Sequence, residues 1–338
     1  MTAVSQEKQN SGRKWLARLS RSLVVVLAIY LLFSLAAGIY LAEFSLHLGK
    51  HPLQHRKKFE AIVEQQFHGT LTDVSVVAKD GSTLKGWLVQ PGTGNGDAVV
   101  LLHGIGDNRE GMAGYAQLML TNGYSVLLPD ARENGESGGA IATYGLLEAR
   151  DLHQWVSWLE EREHPHCVYG LGESYGAALL LQGLAVEHRF CAVIAESSFS
   201  RFAWVAPERA AYYAQMPSSR TMKWFLVPAV HIAMAYVRVF YHLDFSKANP
   251  ADAVHRSKTP VLLIHGTEDI DIQPWHSSYI AMHNPDHVQL WMVPNVNHCG
   301  TWQARHREFV SRVLNWFQTH TSQPSDNLRA SKETKASS

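Results

Sequence analysis

The strongest constraint on the fold is a five-residue stretch, residues 172–176, which reads G-E-S-Y-G. It follows a short apolar run at residues 167–171 that has the length of a buried strand, and it precedes an apolar run at residues 177–186 that is typical of a buried helix. A strand, a sharp turn and a helix are the context in which G-x-S-x-G forms a nucleophile elbow. The pattern therefore predicts that Ser174 lies on a strained turn with its hydroxyl clear of a sheet.

Short apolar runs alternate with helix-like segments along most of the chain. Eight runs are interpreted as strands: residues 74–78, 84–89, 98–102, 124–128, 167–171, 190–195, 261–264 and 288–293. Helical spacing predicts helices at residues 109–122, 143–163, 177–186 and 302–319. After an initial hairpin, the alternation predicts an α/β fold with a mostly parallel eight-stranded sheet flanked by helices. Ligands of such sheets bind at the carboxyl ends of the strands, so candidate residues are sought in the loops there.

An uncharged apolar run occupies residues 23–42, after a basic segment at residues 1–21. A helix of about 20 residues crosses the ~30 Å core of a bilayer, so we predict a transmembrane anchor at residues 22–43 and a single-pass membrane protein. A cleavable signal peptide is the alternative, because small residues within the run resemble a cleavage site. Five basic residues precede the run and four follow it closely, which favours the extracytoplasmic side for the remaining chain only slightly.

Charge and cysteine content exclude several classes of function. Lys plus Arg and Asp plus Glu number 30 each, so the chain has no global positive field with which to hold nucleic acid. Cys167 and Cys191 fall in apolar strand-like runs, where buried free thiols are usual, and the third cysteine is Cys299. Because no C-x-x-C or zinc-type spacing occurs, we expect neither a disulfide framework nor a zinc site.

A glycine-rich turn, H-G-I-G at residues 103–106, follows the strand predicted at residues 98–102. Such a turn can direct a backbone N–H toward a developing oxyanion, and we assign this donor to Ile105. Tyr175, directly after Ser174, would supply the second N–H. The alternative is a plain strand-to-helix turn, and His103 is interpreted as structural.

A carboxylate and a histidine follow the last two predicted strands. Asp269 ends H-G-T-E-D and could orient an imidazolium; Asp271, Glu268 and Glu196 are the alternative acids. His298 lies between the last strand and the last helix, 29 residues after Asp269. The chain has 19 histidines, so only this position identifies His298 as a candidate base.

These motifs together resemble the α/β-hydrolases over about residues 71–317, in which the order is Ser, Asp, His. The motifs are H-G-I-G at 103–106, P-D-A-R at 129–132, G-E-S-Y-G at 172–176, H-G-T-E-D at 265–269 and the closing histidine. The chain is most similar to the membrane-anchored Bem46-like and serine aminopeptidase-like hydrolases, in which P-D-x-R-x-x-G-x-S-x-G follows the fourth strand, as at residues 129–139. Asn134 stands where the family often has His, a departure that we expect to leave catalysis intact.

The resemblance implies acyl transfer without a metal or organic cofactor. Ser174 would attack a carbonyl, His298 would take its proton and Asp269 would hold the imidazole. The N–H groups of Ile105 and Tyr175 would hold the oxyanion. We expect a serine hydrolase acting on lipid-like carboxylic esters. A serine peptidase or amidase is the alternative enzyme, and a catalytically silent membrane-bound scaffold is the alternative of another class.

The segment at residues 197–258 is long for a connection between two core strands, and its part at residues 221–241 is strongly apolar. In α/β-hydrolases a cap in this position covers the acyl pocket, so we expect an apolar lid that admits a lipid-like acyl chain. Helices packed on the core without a substrate role are the alternative. A second membrane span is disfavoured, because Lys223 and Arg238 interrupt it and because it would split the sheet. The predicted organisation is a basic segment, an anchor, a juxtamembrane linker, a hydrolase domain that contains the cap, and a disordered tail. These occupy residues 1–21, 22–43, 44–70, 71–320 and 321–338.

Overall fold

The computed structural model describes residues 3–213 and 220–321. Apart from residue 321, the tail predicted at residues 321–338 lies outside the described residues. The described residues form eight strands: β1 Thr70–Val77, β2 Thr83–Gln90, β3 Ala98–Leu102, β4 Ser125–Pro129, β5 Val168–Glu173, β6 Phe190–Glu196, β7 Val261–Gly266 and β8 Val288–Val293. They form one sheet in the order β1-β2-β4-β3-β5-β6-β7-β8. The pairs β1–β2 and β2–β4 are antiparallel and the other pairs are parallel, which confirms the predicted α/β fold.

Helices cover both faces of this sheet. Those of the described residues are α1 Ala3–Leu46, α2 Arg56–Phe67, α3 Ala113–Thr121, α4 Glu148–Glu163, α5 Tyr175–Gly183, α6 Phe202–Tyr213, α7 Arg220–Phe240, α8 Pro250–Arg256, α9 Trp275–His283, α10 Thr301–Ala304 and α11 His306–Thr319. Short 3-10 turns occupy Arg109–Met112 and Phe245–Lys247. Helices α6, α7 and α8 belong to the predicted cap segment, and α2 lies within residues 44–70.

Two helices differ most from the sequence prediction. Helix α4 begins at Glu148 instead of residue 143, because the Glu148 carboxylate accepts the N–H groups of Thr143 and Gly145 at 2.7 and 2.8 Å and holds this segment as a loop. The single helix predicted at residues 302–319 is divided into α10 and α11 at Arg305, whose backbone is not helical. In both places local backbone geometry interrupts a segment whose apolar spacing continues.

The central strands are buried on both faces. All five residues of β3 are buried, and its alternate side chains enter two different hydrophobic clusters, Val100 and Leu102 in one, Val99 and Leu101 in the other. Because successive strand residues point to opposite faces, both layers of helices pack on the same strands. This double covering holds the carboxyl ends of β3, β5, β6 and β7 rigidly at one edge.

Helix α1 contains a stretch, Trp15–Leu46, that is long and apolar enough to cross a membrane. Its C-terminal end is attached to the sheet domain, because Leu46 is fully buried and its carbonyl accepts the N–H of Ala142 at 2.9 Å. The hydroxyl of Tyr144 also donates to the Ser45 carbonyl at 2.9 Å. The end of the candidate span is therefore part of the folded domain.

The cysteines correct one expectation. Cys167 and Cys191, predicted to be buried free thiols, form a disulfide with a Cα–Cα distance of 5.8 Å, and Cys299 is free. The reason is strand order. Cys167 directly precedes β5 and Cys191 is the second residue of β6, so two cysteines 24 residues apart in sequence lie side by side on neighbouring parallel strands.

Candidate active site

Ser174 occupies the sharp turn between β5 and α5. Its backbone has φ 52° and ψ −114°, a sparsely populated conformation that costs about 1–3 kcal/mol and needs support from its surroundings. The flanking glycines explain how the turn closes. A Cβ on Gly172 would lie 2.6 Å from the Gly176 carbonyl oxygen, and a Cβ on Gly176 would lie 2.2 Å from the Leu102 carbonyl oxygen. The Ser174 N–H donates to the Glu196 carbonyl at 2.8 Å, which fixes the turn to β6.

Three side chains from different strand ends form a hydrogen-bonded chain. Ser174 Oγ lies 2.8 Å from His298 Nε2, and His298 Nδ1 lies 2.8 Å from Asp269 Oδ2. Because an ionised carboxylate only accepts, His298 Nδ1 carries the proton and Nε2 is free to accept from the serine hydroxyl. The structure thus brings together the three residues named from the sequence, with His298 between Ser174 and Asp269.

Asp269 is buried and surrounded by donors. Its Oδ1 accepts the N–H groups of Ile272 and Asp271 at 2.8 and 3.0 Å, and its Oδ2 lies 3.2 Å from His265 Nε2. Burial by itself would raise the pKa of this carboxyl. Hydrogen bonds from His265, His298 and the Ile272 N–H outweigh burial and hold the pKa of Asp269 well below its ordinary value. Asp269 is therefore a carboxylate throughout the neutral range.

The alternative acids make other contacts. Asp271 forms an ion pair with Arg209, and a Glu196 carboxylate oxygen accepts the Thr301 N–H at 3.0 Å. Glu268 is exposed to solvent. Asp269, Asp271 and His298 have ligand-type atoms within 4.8 Å of one another, a spacing compatible with metal coordination. These atoms are, however, already engaged by each other, by backbone N–H groups and by Arg209.

The predicted oxyanion donors lie beside the serine. Ile105 and Tyr175 line the same cavity as Ser174. Tyr175 is the first residue of α5, so its N–H has no carbonyl one turn earlier to bond, and it lies at the positive end of the helix dipole. His103 is buried; its Nδ1 donates to the Gly104 carbonyl at 2.8 Å and its Nε2 accepts the Ala131 N–H at 3.1 Å. Burial lowers the pKa of His103, so this histidine is neutral and holds the turn.

A cavity of about 450 Å³ opens above Ser174 and His298. This is within the range of ~300–1,000 Å³ typical of small-molecule sites. Its walls are mainly apolar side chains of the cap, namely Phe199, Phe202, Val205, Ala206, Ala210, Val230, Ala233, Met234 and Val237. A second wall, which was not predicted from the sequence, comes from the end of α1 and the residues just after it: Leu41, Ala42, Phe44, Ser45 and Leu48. The sequence feature that could have predicted this second wall is the apolar pattern, which continues beyond residue 42.

Glu173 was also missed, because it occupies a variable position of the elbow motif. Its side chain lines the cavity next to Ser174, and it accepts a hydrogen bond from the Tyr115 hydroxyl at 3.2 Å. Burial, reinforced by the charge of Glu196, raises the pKa of Glu173 to about 7. At neutral pH the Glu173 side chain is therefore divided between its protonated and its ionised form.

Comparison with known proteins identifies the class. The sequence profile described as the Alpha/beta hydrolase family matches residues 99–312, more than half of the chain. The chain therefore belongs to the Alpha/beta hydrolase family, and a hydrolase fold of this kind supports an enzyme. The similarity to the Bem46-like and serine aminopeptidase-like branch stays a prediction.

Individual relatives of the chain are bacterial proteins without a described activity. The chain is 30% identical to the uncharacterized protein YqkD of Bacillus subtilis over 192 residues, 56% of this chain and 60% of YqkD. It is 26% identical to the uncharacterized protein YfhR of Escherichia coli over 242 residues, 69% of this chain and 75% of YfhR. The chain thus spans less than two thirds of YqkD.

Solved structures share the same fold. The Pyrococcus furiosus esterase Pf2001 matches with a TM-score of 0.62 and 24% identity, covering 77% of this chain and 96% of the esterase. A Pyrococcus horikoshii acylaminoacyl peptidase matches with a TM-score of 0.57 and 17% identity, covering 76% of this chain and 43% of the peptidase. At these identities the likeness establishes the fold and leaves the substrate open.

Proposed function

We propose that the protein is a membrane-anchored serine hydrolase that cleaves carboxylic esters with lipid-like acyl chains. The observation that carries the proposal is the hydrogen-bonded series Ser174, His298 and Asp269, in which Ser174 and His298 line an apolar cavity and Asp269 is buried behind them. A serine hydroxyl is a weak nucleophile unless an adjacent base takes its proton, and a base in this geometry is within reach.

Among the residues that the structure describes, two other serine–histidine–carboxylate series occur, and neither opens to the cavity. His265 contacts Ser277 at 2.6 Å and Asp269 at 3.2 Å, and His276 contacts Ser200 and Glu208 at 2.7 and 3.4 Å. Both serines and both histidines of these series are fully buried, and none of them lines the cavity. Of the three series, only the one that contains Ser174 opens to a space that can hold an acyl group.

The proposed mechanism has two halves. Ser174 Oγ attacks the ester carbonyl while His298 Nε2 takes the hydroxyl proton, and the Ile105 and Tyr175 N–H groups hold the oxyanion. His298 then returns the proton to the departing alcohol, and an acyl-enzyme remains. Water then attacks the acyl-enzyme while His298 takes a proton from it; the bond between the acyl carbon and Ser174 Oγ breaks, His298 returns the proton to Oγ, and the acid is released. Asp269 stays ionised and stabilises the imidazolium that forms in each half.

The apolar cap favours an ester of an extended acyl chain. The cavity walls above Ser174 consist mainly of aliphatic and aromatic side chains, and the Asp, Glu and Arg residues among the lining are Asp107, Glu173, Arg209 and Asp271. Burial of an acyl chain against such walls contributes about 25 cal/mol for each Å² of apolar surface removed from water. A peptide would need partners for its amide groups along the same walls.

A substrate panel tests this proposal. The full chain in detergent or nanodiscs is assayed with p-nitrophenyl esters from acetate to palmitate and with aminoacyl p-nitroanilides, alongside labelling by a fluorophosphonate probe. We expect labelling of the wild type, no labelling of Ser174→Ala, and a higher kcat/KM for medium or long acyl esters than for any amide. Faster turnover of the amides would identify a peptidase, and a wild type that fails to label would identify a silent scaffold.

The extracytoplasmic side is proposed for the catalytic domain. The Cys167–Cys191 disulfide supports this orientation, because disulfides persist in oxidising compartments and are rare in the cytosol.

A count of free thiols tests the orientation. The protein produced in cells is denatured in the presence of maleimide-polyethylene glycol, which modifies each free thiol. We expect one modified thiol, Cys299, before reduction and three after it, with two before reduction in a Cys191→Ser control. Three modified thiols without reduction would place the domain in a reducing compartment.

A further inference from the structure

We propose that helix α1 is a wall of the acyl site as well as an anchor, and that the substrate is a bilayer lipid whose acyl chain reaches Ser174 sideways, from the membrane, between α1 and the cap. This inference rests on the proposed function. It adds the source of the substrate, the direction from which it comes and the residues of the anchor that select it.

The first observation is the position of the end of α1. Leu41, Ala42 and Ser45 line the cavity that contains Ser174, and Ala42 is 1% exposed. Hydrogen bonds from Ala142 and Tyr144 to the last turn hold this end of the helix in place. A helix that served only as a tether would need none of these contacts. The membrane-spanning element and the catalytic floor therefore share one cavity.

The second observation is the course of the cap helix α7, which runs beside α1 in the same direction. The Tyr30 hydroxyl donates to the Phe225 carbonyl at 2.9 Å, and the hydroxyls of Tyr236 and Tyr241 each donate to Glu43 at 2.8 Å. Between these contacts α1 advances 13 residues, about 20 Å of helix. If α1 spans a hydrocarbon core of about 30 Å, α7 extends well into that core.

Close packing of the two helices supports this course. At Gly38 of α1, a Cβ would lie 2.7 Å from the Ala229 carbonyl oxygen and 2.7 Å from the Ile232 side chain. Small residues at such contacts are how helices approach each other within membranes. Only glycine fits at this position without movement of α7.

The third observation is the outer surface of the cap. Phe225, Val239 and Phe240 of α7 are exposed, as is Tyr213 of α6, whose ring packs edge-on against Phe44 of α1. This apolar surface continues the exposed apolar surface of α1. Contiguous exposed apolar surface of this kind marks contact with a membrane or partner. Because this surface adjoins a helix of membrane-spanning length, we infer that the hydrocarbon of the bilayer covers it.

Together these observations give a path for the substrate. An acyl chain in the leaflet next to the catalytic domain meets the line where α1 and the cap helices converge, and the cavity behind this line leads to Ser174. The ester group, at the polar end of the chain, then lies at the catalytic floor. The volume left by α1 side chains such as Leu41 sets the length of acyl chain that the site accepts.

A bifunctional probe tests the path without any substitution. The full chain in phospholipid nanodiscs is treated with a fluorophosphonate that carries a long alkyl chain ending in a diazirine, is irradiated and is mapped by mass spectrometry. Attachment of the phosphonate to Ser174 tests the proposed function by itself. We expect the photochemical cross-link within residues 41–48, at the end of α1 and just after it, or within residues 225–237 of α7. Attachment at Ser174 with cross-links only on solvent-facing loops would overturn the inference and leave the proposed function intact.

Substitution at Leu41 gives an independent measurement. Leu41→Trp places a larger side chain in the wall and is expected to lower the ratio of kcat/KM for p-nitrophenyl palmitate to kcat/KM for the butyrate ester by at least about tenfold. The matched control is Leu32→Trp on the same helix, where the side chain is 67% exposed. Retained butyrate turnover shows that the variant folds. Equal loss, or no loss, on both esters in Leu41→Trp would remove α1 from the acyl site.

Discussion

The His298→Ala variant is expected to lose ester turnover by about 10³- to 10⁶-fold in kcat while its fold is retained. The physical reason is the loss of the atom that accepts the Ser174 proton, since His298 Nε2 is 2.8 Å from Ser174 Oγ. The imidazole is partly exposed in the cavity and not part of the hydrophobic clusters, so its removal leaves the core intact. The measurement is kcat on the best ester of the panel, with thermal unfolding followed in parallel.

A second histidine serves as the control. His188 is exposed, so His188→Ala is expected to keep kcat within about twofold, as for surface changes in general. If His298→Ala kept more than a tenth of wild-type turnover with an unchanged melting temperature, another base would have to act on Ser174. If both variants lost activity equally, the loss would reflect folding and not proton transfer.

The elbow and the sheet could be predicted because their causes are local. Gly172 and Gly176 allow the close backbone approach that the turn requires, and the apolar runs on either side form a buried strand and helix. Parallel strands gather their carboxyl ends, so residues far apart in sequence were expected to meet at one edge. The structure brings Ser174, Asp269 and His298 together there, while their catalytic roles stay predictions.

Features that depend on contacts between distant segments could not be predicted in the same way. The Cys167–Cys191 disulfide depends on which strands are neighbours, which apolar runs do not specify. The contact of α1 with α7 joins residues about 190 positions apart and depends on where the cap folds back. The start of α4 depends on one carboxylate, Glu148, that satisfies the preceding loop. In each case the residue is visible in the sequence, but the distant residue that it contacts cannot be identified from the sequence.

The Asp269→Asn variant is expected to lose about 10⁴-fold in kcat, through the imidazole tautomer. The amide oxygen of the substituted side chain would keep accepting the N–H groups of Ile272 and Asp271, which now bond to Asp269 Oδ1. The amide NH₂ would then occupy the position of Oδ2 and donate to His298 Nδ1. This moves the imidazole proton to Nε2, where it faces Ser174 Oγ and blocks proton transfer.

The matched substitution is Asp271→Asn, two residues along the same loop. Asp271 pairs with Arg209 at a partly exposed site, so this change is expected to weaken stability by no more than about 1 kcal/mol and to leave kcat within about threefold. Steady-state kinetics of both variants on one ester, with the wild type beside them, compare the two carboxylates directly. A large loss in Asp271→Asn with little loss in Asp269→Asn would transfer the role of the acid to Asp271. Equal loss in both would indicate that the geometry of the loop, and not the charge of Asp269, controls His298.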